Sequence, residues 1–343
     1  MAGPVAEVRL SPEQALQLGC DLLGAYGATT ENARVVTEHL VDADRAGLPS
    51  HGLMRLPQYV DEILAGEIDP TAKPAPRRAG QAHLHLDARR CFGQVAGRLA
   101  VLGGIEAAKD HGIALVTVRQ CGHAGRIGAY AEELGTAGCL SMVFCSGPRS
   151  GHRVAPFGGR DGRLATNPLA FSIPSSSDPI VGDFSTAASP EGRIRRLRNL
   201  GLSAPPETLL DAEGMPTNDP NVLYHSPPGT ILPLGGELLG HRGFALGIFV
   251  EAMATLLGGD DTADGSRVGN NLAFIVISTS PEYRLGADRM TEYVLSSRSR
   301  GNATMKLPGQ LEREHRDATT DILLDGTTWQ ATVERARRVG LDL

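Results

Sequence analysis

Apolar positions in residues 11–68 recur at helical spacing. In "SPEQALQLGCDLLGAYG" Ser11 stands as an N-cap, Pro12 takes the first helical position, and Gln14 can reach back to the cap while Leu16, Leu22 and Leu23 form the core stripe. "TTENARVVTEHLVDADRAG" repeats the scheme, with Thr29 or Thr30 as cap, Val36, Leu40 and Ala43 as the apolar face and Gly47 as terminator. A third helix is predicted in "MRLPQYVDEILAGEI", begun or broken at Pro57.

The Pro- and Ala-rich "DPTAKPAPRRAG", Asp69 to Gly80, then interrupts the pattern and reads as a linker, which places a boundary near residue 75. Beyond it the period shortens. A strand is predicted at His83 to Asp87, a helix through Ala100 to Asp110, a β-branched strand in "IALVTVR" that runs into "QCGHAGRIGAYAEELGTAG", and another strand in "LSMVFCS". "LAFSIPS", "IVGDFST" and "LAFIVIS" add further strands. Few helices separate the first two of these, so the chain does not read as alternating βαβ units. The longest apolar region, "GFALGIFVEAMATLLGG", is too short to span a membrane and carries Glu251 in its middle, so it reads as a buried helix. A last helix is predicted around Trp329 to Arg338.

With 343 residues the chain can form one large domain or two to three closely packed ones. Its 42 glycines and 22 prolines fit a compact globule with many sharp turns. Aromatic residues are only 4%, the net charge is -6, and the densest basic run, "GRIRRLRN", is short, so no nucleic-acid partner is expected. The cysteines, Cys20, Cys91, Cys121, Cys139 and Cys145, form no CxxC pair, and no basic-then-apolar signal segment precedes the first helix, which points to the cytoplasm with free thiols. Lysine occurs only at Lys73, Lys109 and Lys306, so nearly every positive charge is an arginine.

The candidate chemistry centres on two stretches. In "RAGLPSHGLMRL" Ser50 and His51 are adjacent; Ser50 suits a helix N-cap, and neighbouring Ser and His do not make a hydrolytic dyad, whose members come from separate elements. No GxSxG elbow is present. If the segment is helical, Arg55 and Tyr59 follow His51 on one face, where an imidazole, a guanidinium fork and a phenol suit a small carboxylate beside a carbonyl or hydroxyl carbon; a solvated face with a structural arginine is the alternative. In "GHAGRIGAY", His123 stands at a strand-to-helix junction between glycines, either able to exchange a proton near neutral pH or incidental to a turn. The GxxGxxG spacing there is not the GxGxxG of a doubly wound dinucleotide fold, and there is no P-loop. His83 and His85 share a strand face but lack a third ligand at metal-site spacing, and no HExxH occurs, so no metal is expected.

Taken in order, "PSHGLMRLPQYVDEILAGEIDP", "GHAGRIGAYAEELGTAG", "VAPFGGRDGRLATNPLAFSIP", "DPIVGDFSTA", "EGRIRRLRNLGLSAPPETLLDAEGMPTNDP", "GTILPLGG", "GHRGFALGIFVEAMATLLGG" and "LPGQLERE" resemble the malate/L-lactate dehydrogenase family that lacks a Rossmann fold. Its relatives include ureidoglycolate, sulfolactate and hydroxycarboxylate dehydrogenases and diketogulonate and piperideine-carboxylate reductases. The resemblance runs from Ser11 to Trp329. It implies an α+β fold like that of sulfolactate dehydrogenase, with a mostly antiparallel cofactor sheet in residues 76–299, a helical insertion around 186–264, and a helical part in which residues 1–75 are joined by 300–343. It further implies NAD- or NADP-dependent interconversion of a small 2-hydroxy acid and its 2-oxo acid, in a homodimer.

Residue by residue, the resemblance makes His51 or His123 the acid/base, with Ser50 beside the first and Asp183 orienting the catalytic histidine. It assigns Arg55, Tyr59 and Ser146 to the substrate, and Asp183, Ser185, Thr186, Ala187, His241, Arg242, Gly243, Pro308, Gly309 and Gln310 to the cofactor. Two departures stand out: members usually carry lysine at Arg193 and Arg242, and serine at Ala187. The alternatives are a cyclic imino-acid reductase on the same fold and a lapsed member that binds without turnover.

Overall fold

The computed structural model describes residues 7–265, 268–301 and 304–343; the ends of the expected N-terminal segment, 1–6, and positions within the two remaining gaps fall outside the described residues. In chain order the elements are β1 (Val8–Leu10), α1 (Pro12–Ala25), α2 (Thr30–Arg45), α3 (Leu56–Leu64), β2 (Ala75–Arg78), β3 (His83–Asp87), α4 (Gly93–His111), β4 (Ile113–Cys121), α5 (Ile127–Thr136), β5 (Cys139–Ser146), β6 (Leu169–Ile173) and β7 (Ile180–Phe184). They continue with α6 (Glu191–Asn199), β8 (Leu209–Leu210), β9 (Pro216–Thr217), β10 (Thr230–Ile231), α7 (Gly236–Glu251), β11 (Asn270–Ser278), α8 (Pro281–Leu295), α9 (Gln310–Ala318), β12 (Ile322–Leu324) and α10 (Gly326–Arg338).

The main sheet has seven strands in the order β2-β3-β4-β11-β5-β6-β7. Only β3 and β4 pair in parallel, so the sheet is mostly antiparallel and the fold is α+β. One face packs against α4 and α5, burying Val116, Val118, Ala131, Leu134, Val143 and Phe274. The other face buries Phe144, Leu169 and Ala273 against Val250 and Ala254. Covered on both faces, the central strands are almost continuous apolar runs, and for that reason they were legible from sequence.

A separate cluster unites the two ends of the chain. Leu22, Leu23, Val36, Leu40, Leu53 and Tyr59 pack with Ile322, Leu324 and Ala336, and β1 pairs antiparallel with β12. Ion pairs tie this helical layer to the sheet: Arg316 on α9 meets Asp42 on α2 at 2.7 Å and Glu132 on α5 at 3.0 Å, while the buried Arg126 lies 3.5 Å from Asp42 and 3.4 Å from Glu132.

Several expectations shift. The reading of Asp69 to Gly80 as linker is half right, because Ala75–Arg78 forms β2; its Pro76 is tolerated at the sheet edge, where no ladder donor is needed on the open side. The helix read at Ala100 begins at Gly93, its glycine-rich first turns having hidden the pattern. The stretch 186–264, expected as helical, also carries a three-stranded sheet of β8, β9 and β10. The buried helix with Glu251 is α7, which ends in a π-helical turn at Ala252–Leu256. Glu251 is only 5% exposed, and its carboxylate accepts from Asn167 Nδ2 at 2.9 Å and from the Thr255 and Thr262 hydroxyls at 2.8 Å, which offsets its desolvation. No helix of the described residues is long and apolar enough to cross a membrane.

Gly93 decides how closely the start of α4 meets the loop that carries His123. A Cβ there would lie 2.5 Å from the carbonyl oxygens of Gly122 and His123, backbone atoms that cannot rotate away. Gly93→Ala is therefore expected to lower unfolding free energy in urea by about 1–3 kcal/mol, as overpacking does; an unchanged midpoint would refute the contact.

Candidate active site

The chain leaves α2 through two short 3₁₀ turns, Pro49–His51 and Leu53–Arg55, and α3 starts only at Leu56. Ser50 is not a cap, contrary to expectation: no side-chain cap bond forms at either turn, and Ser50 Oγ lies 3.1 Å from His51 Nδ1. Asp44 on α2 does the anchoring instead, its Oδ2 accepting the Leu53 amide at 2.8 Å. Gly52 lies so close against that carboxylate that any Cβ would overlap it. Because the turns interrupt the helix, His51, Arg55 and Tyr59 do not share one helical face.

Arg55 is buried, at 5% exposure. Its Nε donates to the Ser50 carbonyl at 2.7 Å and its Nη1 to Gln58 Oε1 at 2.8 Å, yet it forms no ion pair with any carboxylate among the described residues. Burial, with Arg195 adding to it, holds its proton affinity below the usual arginine value. Arg195 on α6 is matched: it meets Glu191 Oε2 at 3.0 Å and Oε1 at 3.1 Å, and the Tyr224 hydroxyl donates to Glu191 Oε1 at 2.8 Å.

The two predicted histidines come together from different layers. His51 and His123 stack with ring centroids 5.9 Å apart and planes 18° from parallel. Behind His123, Nδ1 lies 2.8 Å from the Tyr59 hydroxyl, and Gln94 Nε2 lies 2.7 Å from the same oxygen. Burial, then the charge of Arg55, pushes His51 down to about 3. The same two causes, followed by His51 itself, hold His123 well below its usual value. Both rings are neutral at physiological pH.

These groups line a cavity of about 360 Å³ that includes His51, Arg55, Gln58, His123, Glu191 and Arg195. A second cavity of about 370 Å³ shares His51, Thr166 and Pro190 with the first and adds Asp183, Ser185, Arg193 and Arg196. Volumes of this size suit small ligands.

Other expected residues lie elsewhere. Tyr59 is fully buried and contacts His123 and Gln94 rather than the cavity. Ser146 is also fully buried, its hydroxyl 2.7 Å from that of Thr255, because β5 carries it into the core one residue before the chain reaches the cavity at Gly147. Asp183 hydrogen-bonds neither histidine; its Oδ2 accepts the Gly128 amide at 2.9 Å, and burial raises its proton affinity. Thr186 and Ala187 are buried, Thr186 donating to the Thr166 and Asn167 carbonyls. His241, Arg242 and Gly243 lie on α7, His241 beside the Phe157 ring, and neither they nor Pro308, Gly309 and Gln310, which run past Val181 at the sheet edge, line either cavity. Sequence reading missed Gln58, Gln94, Glu191, Arg195 and Tyr224. A signal existed only for the Glu191–Arg195 pair, whose i,i+4 spacing joins the basic run considered for nucleic acid to the glutamate just before it.

Comparison with known proteins now adds to this geometry. The sequence model of the malate/L-lactate dehydrogenase family matches residues 10–332. The chain is 33% identical over 329 residues to hydroxycarboxylate dehydrogenase B of Escherichia coli O157:H7, covering 92% of this chain and 90% of that one. It is 36% identical over 265 residues to a Delta(1)-pyrroline-2-carboxylate reductase of Ancylobacter novellus, covering 77% and 75%. The crystal structure of malate dehydrogenase from Entamoeba histolytica superposes with a TM-score of 0.90 at 26% identity, covering 98% of this chain and 99% of that one.

Asp44 gives a test of the site's anchoring. Burial raises its carboxyl to about 7, partly opposed by the Leu53 amide. A raised folded pKa contributes stability that is complete below the unfolded value and is lost as pH rises through about 7. Asp44→Asn keeps an oxygen for the Leu53 amide but removes the charge. The stability of the variant relative to the native protein should therefore rise by about 1 kcal/mol or more between about pH 4 and pH 8; a difference that stays flat in thermal melts would show that Asp44 is not desolvated.

Proposed function

The chain belongs to the malate/L-lactate dehydrogenase family, and from that premise we propose that it is an NAD- or NADP-dependent oxidoreductase that interconverts a small 2-hydroxy acid and its 2-oxo acid. One observation carries the reading: a buried guanidinium in salt-bridge contact with no carboxylate among the described residues faces the same cavity as two stacked imidazoles whose proton affinity is lowered. An arginine fork in that state calls for a carboxylate, and an imidazole beside it can serve the oxygen on the next carbon.

Arg55 holds the substrate carboxylate, with Ser50 and Gln58 fixing the plane of its fork. Its charge adds to burial, the larger cause, in disfavouring the protonated imidazoles, so a carboxylate that cancels this charge raises their proton affinity. Binding of the carboxylate thus favours uptake from solvent of the proton that reduction consumes. His123 exchanges that proton at Nε2 with the C2 oxygen, since its Nδ1 is engaged by Tyr59. His51, stacked on His123, also lines the second cavity. That second cavity fits a phosphate-bearing cofactor: Arg193 and Arg196 are exposed there and form no ion pair among the described residues, and the Ser185 and Asp183 side chains offer polar partners. Arg193, Arg196 and Ser185 would hold a nicotinamide cofactor there, which in reduced form would supply a hydride.

The relative named as a pyrroline-carboxylate reductase supports a second substrate class, a cyclic imino acid, in which His123 serves nitrogen instead of oxygen. A homodimer is part of the same reading. It is supported by the apolar face that α7 and the following turn leave open, where Leu238 is 78% exposed and Ile248, Phe249, Leu256 and Leu257 are exposed too.

A panel of 2-oxo acids and piperideine-2-carboxylate, assayed with NADH and with NADPH, tests the activity. His123→Gln is expected to slow single-turnover cofactor oxidation by about 100- to 10,000-fold. Arg55→Met is expected to raise KM for the acid by about 100-fold, the effect of removing one partner of a buried charge pair. Native rates in both variants, or no turnover of any panel member, would overturn the reading. Ile248→Glu is expected to halve the mass measured by light scattering, and an unchanged mass would remove α7 from the interface.

A further inference from the structure

We infer that Gln94 and Tyr59 are positioning residues for His123, forming a buried hydrogen-bond chain that keeps a proton on Nδ1 and so makes Nε2 the atom that takes and gives the proton. The inference rests on the reading that His123 is the acid/base. It adds how the ring is held in the tautomer that this role requires.

The chain is sealed from water. Tyr59 is 0% and Gln94 1% exposed, and they reach His123 from different elements, Tyr59 from α3 and Gln94 from the first turn of α4. Gly93 lets that first turn press against the backbone of Gly122, His123 and Ala124, which places Gln94 behind the ring. The tyrosine oxygen lies 2.7 Å from the glutamine amide and 2.8 Å from His123 Nδ1.

One phenolic proton between two neighbours allows two directions. In the first, the amide nitrogen donates to the phenol and the phenol donates to Nδ1. The neutral ring then carries its proton on Nε2 and has no lone pair for a substrate hydroxyl. In the second, Nδ1–H donates to the phenol and the phenol donates to Gln94 Oε1. The two differ by a half-turn of one amide, which exchanges its oxygen and nitrogen. Only the second lets Nε2 alternate between lone pair and N–H with nothing behind it rearranging. A protonated ring excludes the first outright, because Nδ1 can no longer accept.

The uncharged character of the chain matters as much as its direction. A carboxylate behind the ring would hold the imidazolium permanently. A phenol and an amide orient the ring without fixing its charge, so protonation is left to the cavity. The charged groups that share the cavity with His123 include Arg55, Arg195, Glu62, Glu67 and Glu191; Arg55 and Arg195 disfavour the protonated ring, and Arg195 is already matched by Glu191. Asp183, engaged by the Gly128 amide, takes no part.

The test reads the ring directly, by ¹⁵N NMR of the labelled full-length protein without cofactor, alongside the pH profile of kcat. The native protein should show His123 as the Nδ1–H tautomer with Nε2 titrating. Tyr59→Phe should shift it toward Nε2–H and lower kcat by about 10- to 100-fold, as loss of a partner behind a reacting histidine does, with KM within about threefold. Gln94→Glu, which keeps the shape, should raise the titration midpoint by about one pH unit or more and move the acid limb of the kcat profile with it. A native ring in the Nε2–H form, or a midpoint unmoved in Gln94→Glu, would overturn the inference even if Tyr59→Phe fails to fold. If the NMR results hold but no 2-oxo or imino acid is turned over, the inference about the ring stands and the proposed activity falls.

Discussion

A guanidinium taken out of water without a carboxylate to meet it is the constraint around which the site is arranged. Arg55 is buried, held in plane by the Ser50 carbonyl and the Gln58 amide, and unmatched among the described residues. Such a charge is tolerated only when neutral dipoles surround it and a ligand completes it. Its neighbours reflect this: Arg195 has its own partner in Glu191, and the two imidazoles above are stripped of protons by burial and by Arg55 itself. The arginine and the two imidazoles whose protonation it opposes thereby share a single cavity.

That arrangement exists only because two layers meet closely. The end-to-end cluster that joins α1, α2 and α3 with β12 and α10 supplies His51 and Arg55; the sheet supplies His123. The ion pairs among Asp42, Arg126, Glu132 and Arg316 tie the two together, and backbone contact at Gly93 fixes the loop that carries His123. Asp44 does the same on a smaller scale, pinning the turn that carries His51 and Arg55 to the end of α2. Histidines from separate layers can then stack at 5.9 Å, a spacing that no segment of the chain could fix alone.

Much of the architecture was readable in sequence because burial on both faces writes long apolar strands. β3, β4, β5, β6, β7 and β11 all fall where the β-branched and apolar runs stand. The capping signals likewise marked α1 and α2, and the Ser11 capping box forms as read. β2 was lost inside a proline-rich stretch, and the short β8, β9 and β10 lack enough residues to show any period. His51, His123 and Arg55 were legible as candidates from their chemistry, and the family resemblance covers the chain as the comparisons show.

Side-chain direction was a different matter. Spacing suggested one helical face for His51, Arg55 and Tyr59, but two 3₁₀ turns rotate them apart, so Arg55 points into the cavity while Tyr59 turns behind His123. Ser146, Asp183 and Gln94 show the same dependence: a one-residue step along a strand or the first turn of a helix decides whether a polar group meets ligand, backbone or another side chain. The sequence by itself determined the fold class, the main strands and the types of group that could do the chemistry, since these follow from local period and composition. Only the tertiary structure decided which of those groups share a cavity, which imidazole has a partner behind it, and which charge is left unmatched, because these depend on contacts between segments far apart in the chain.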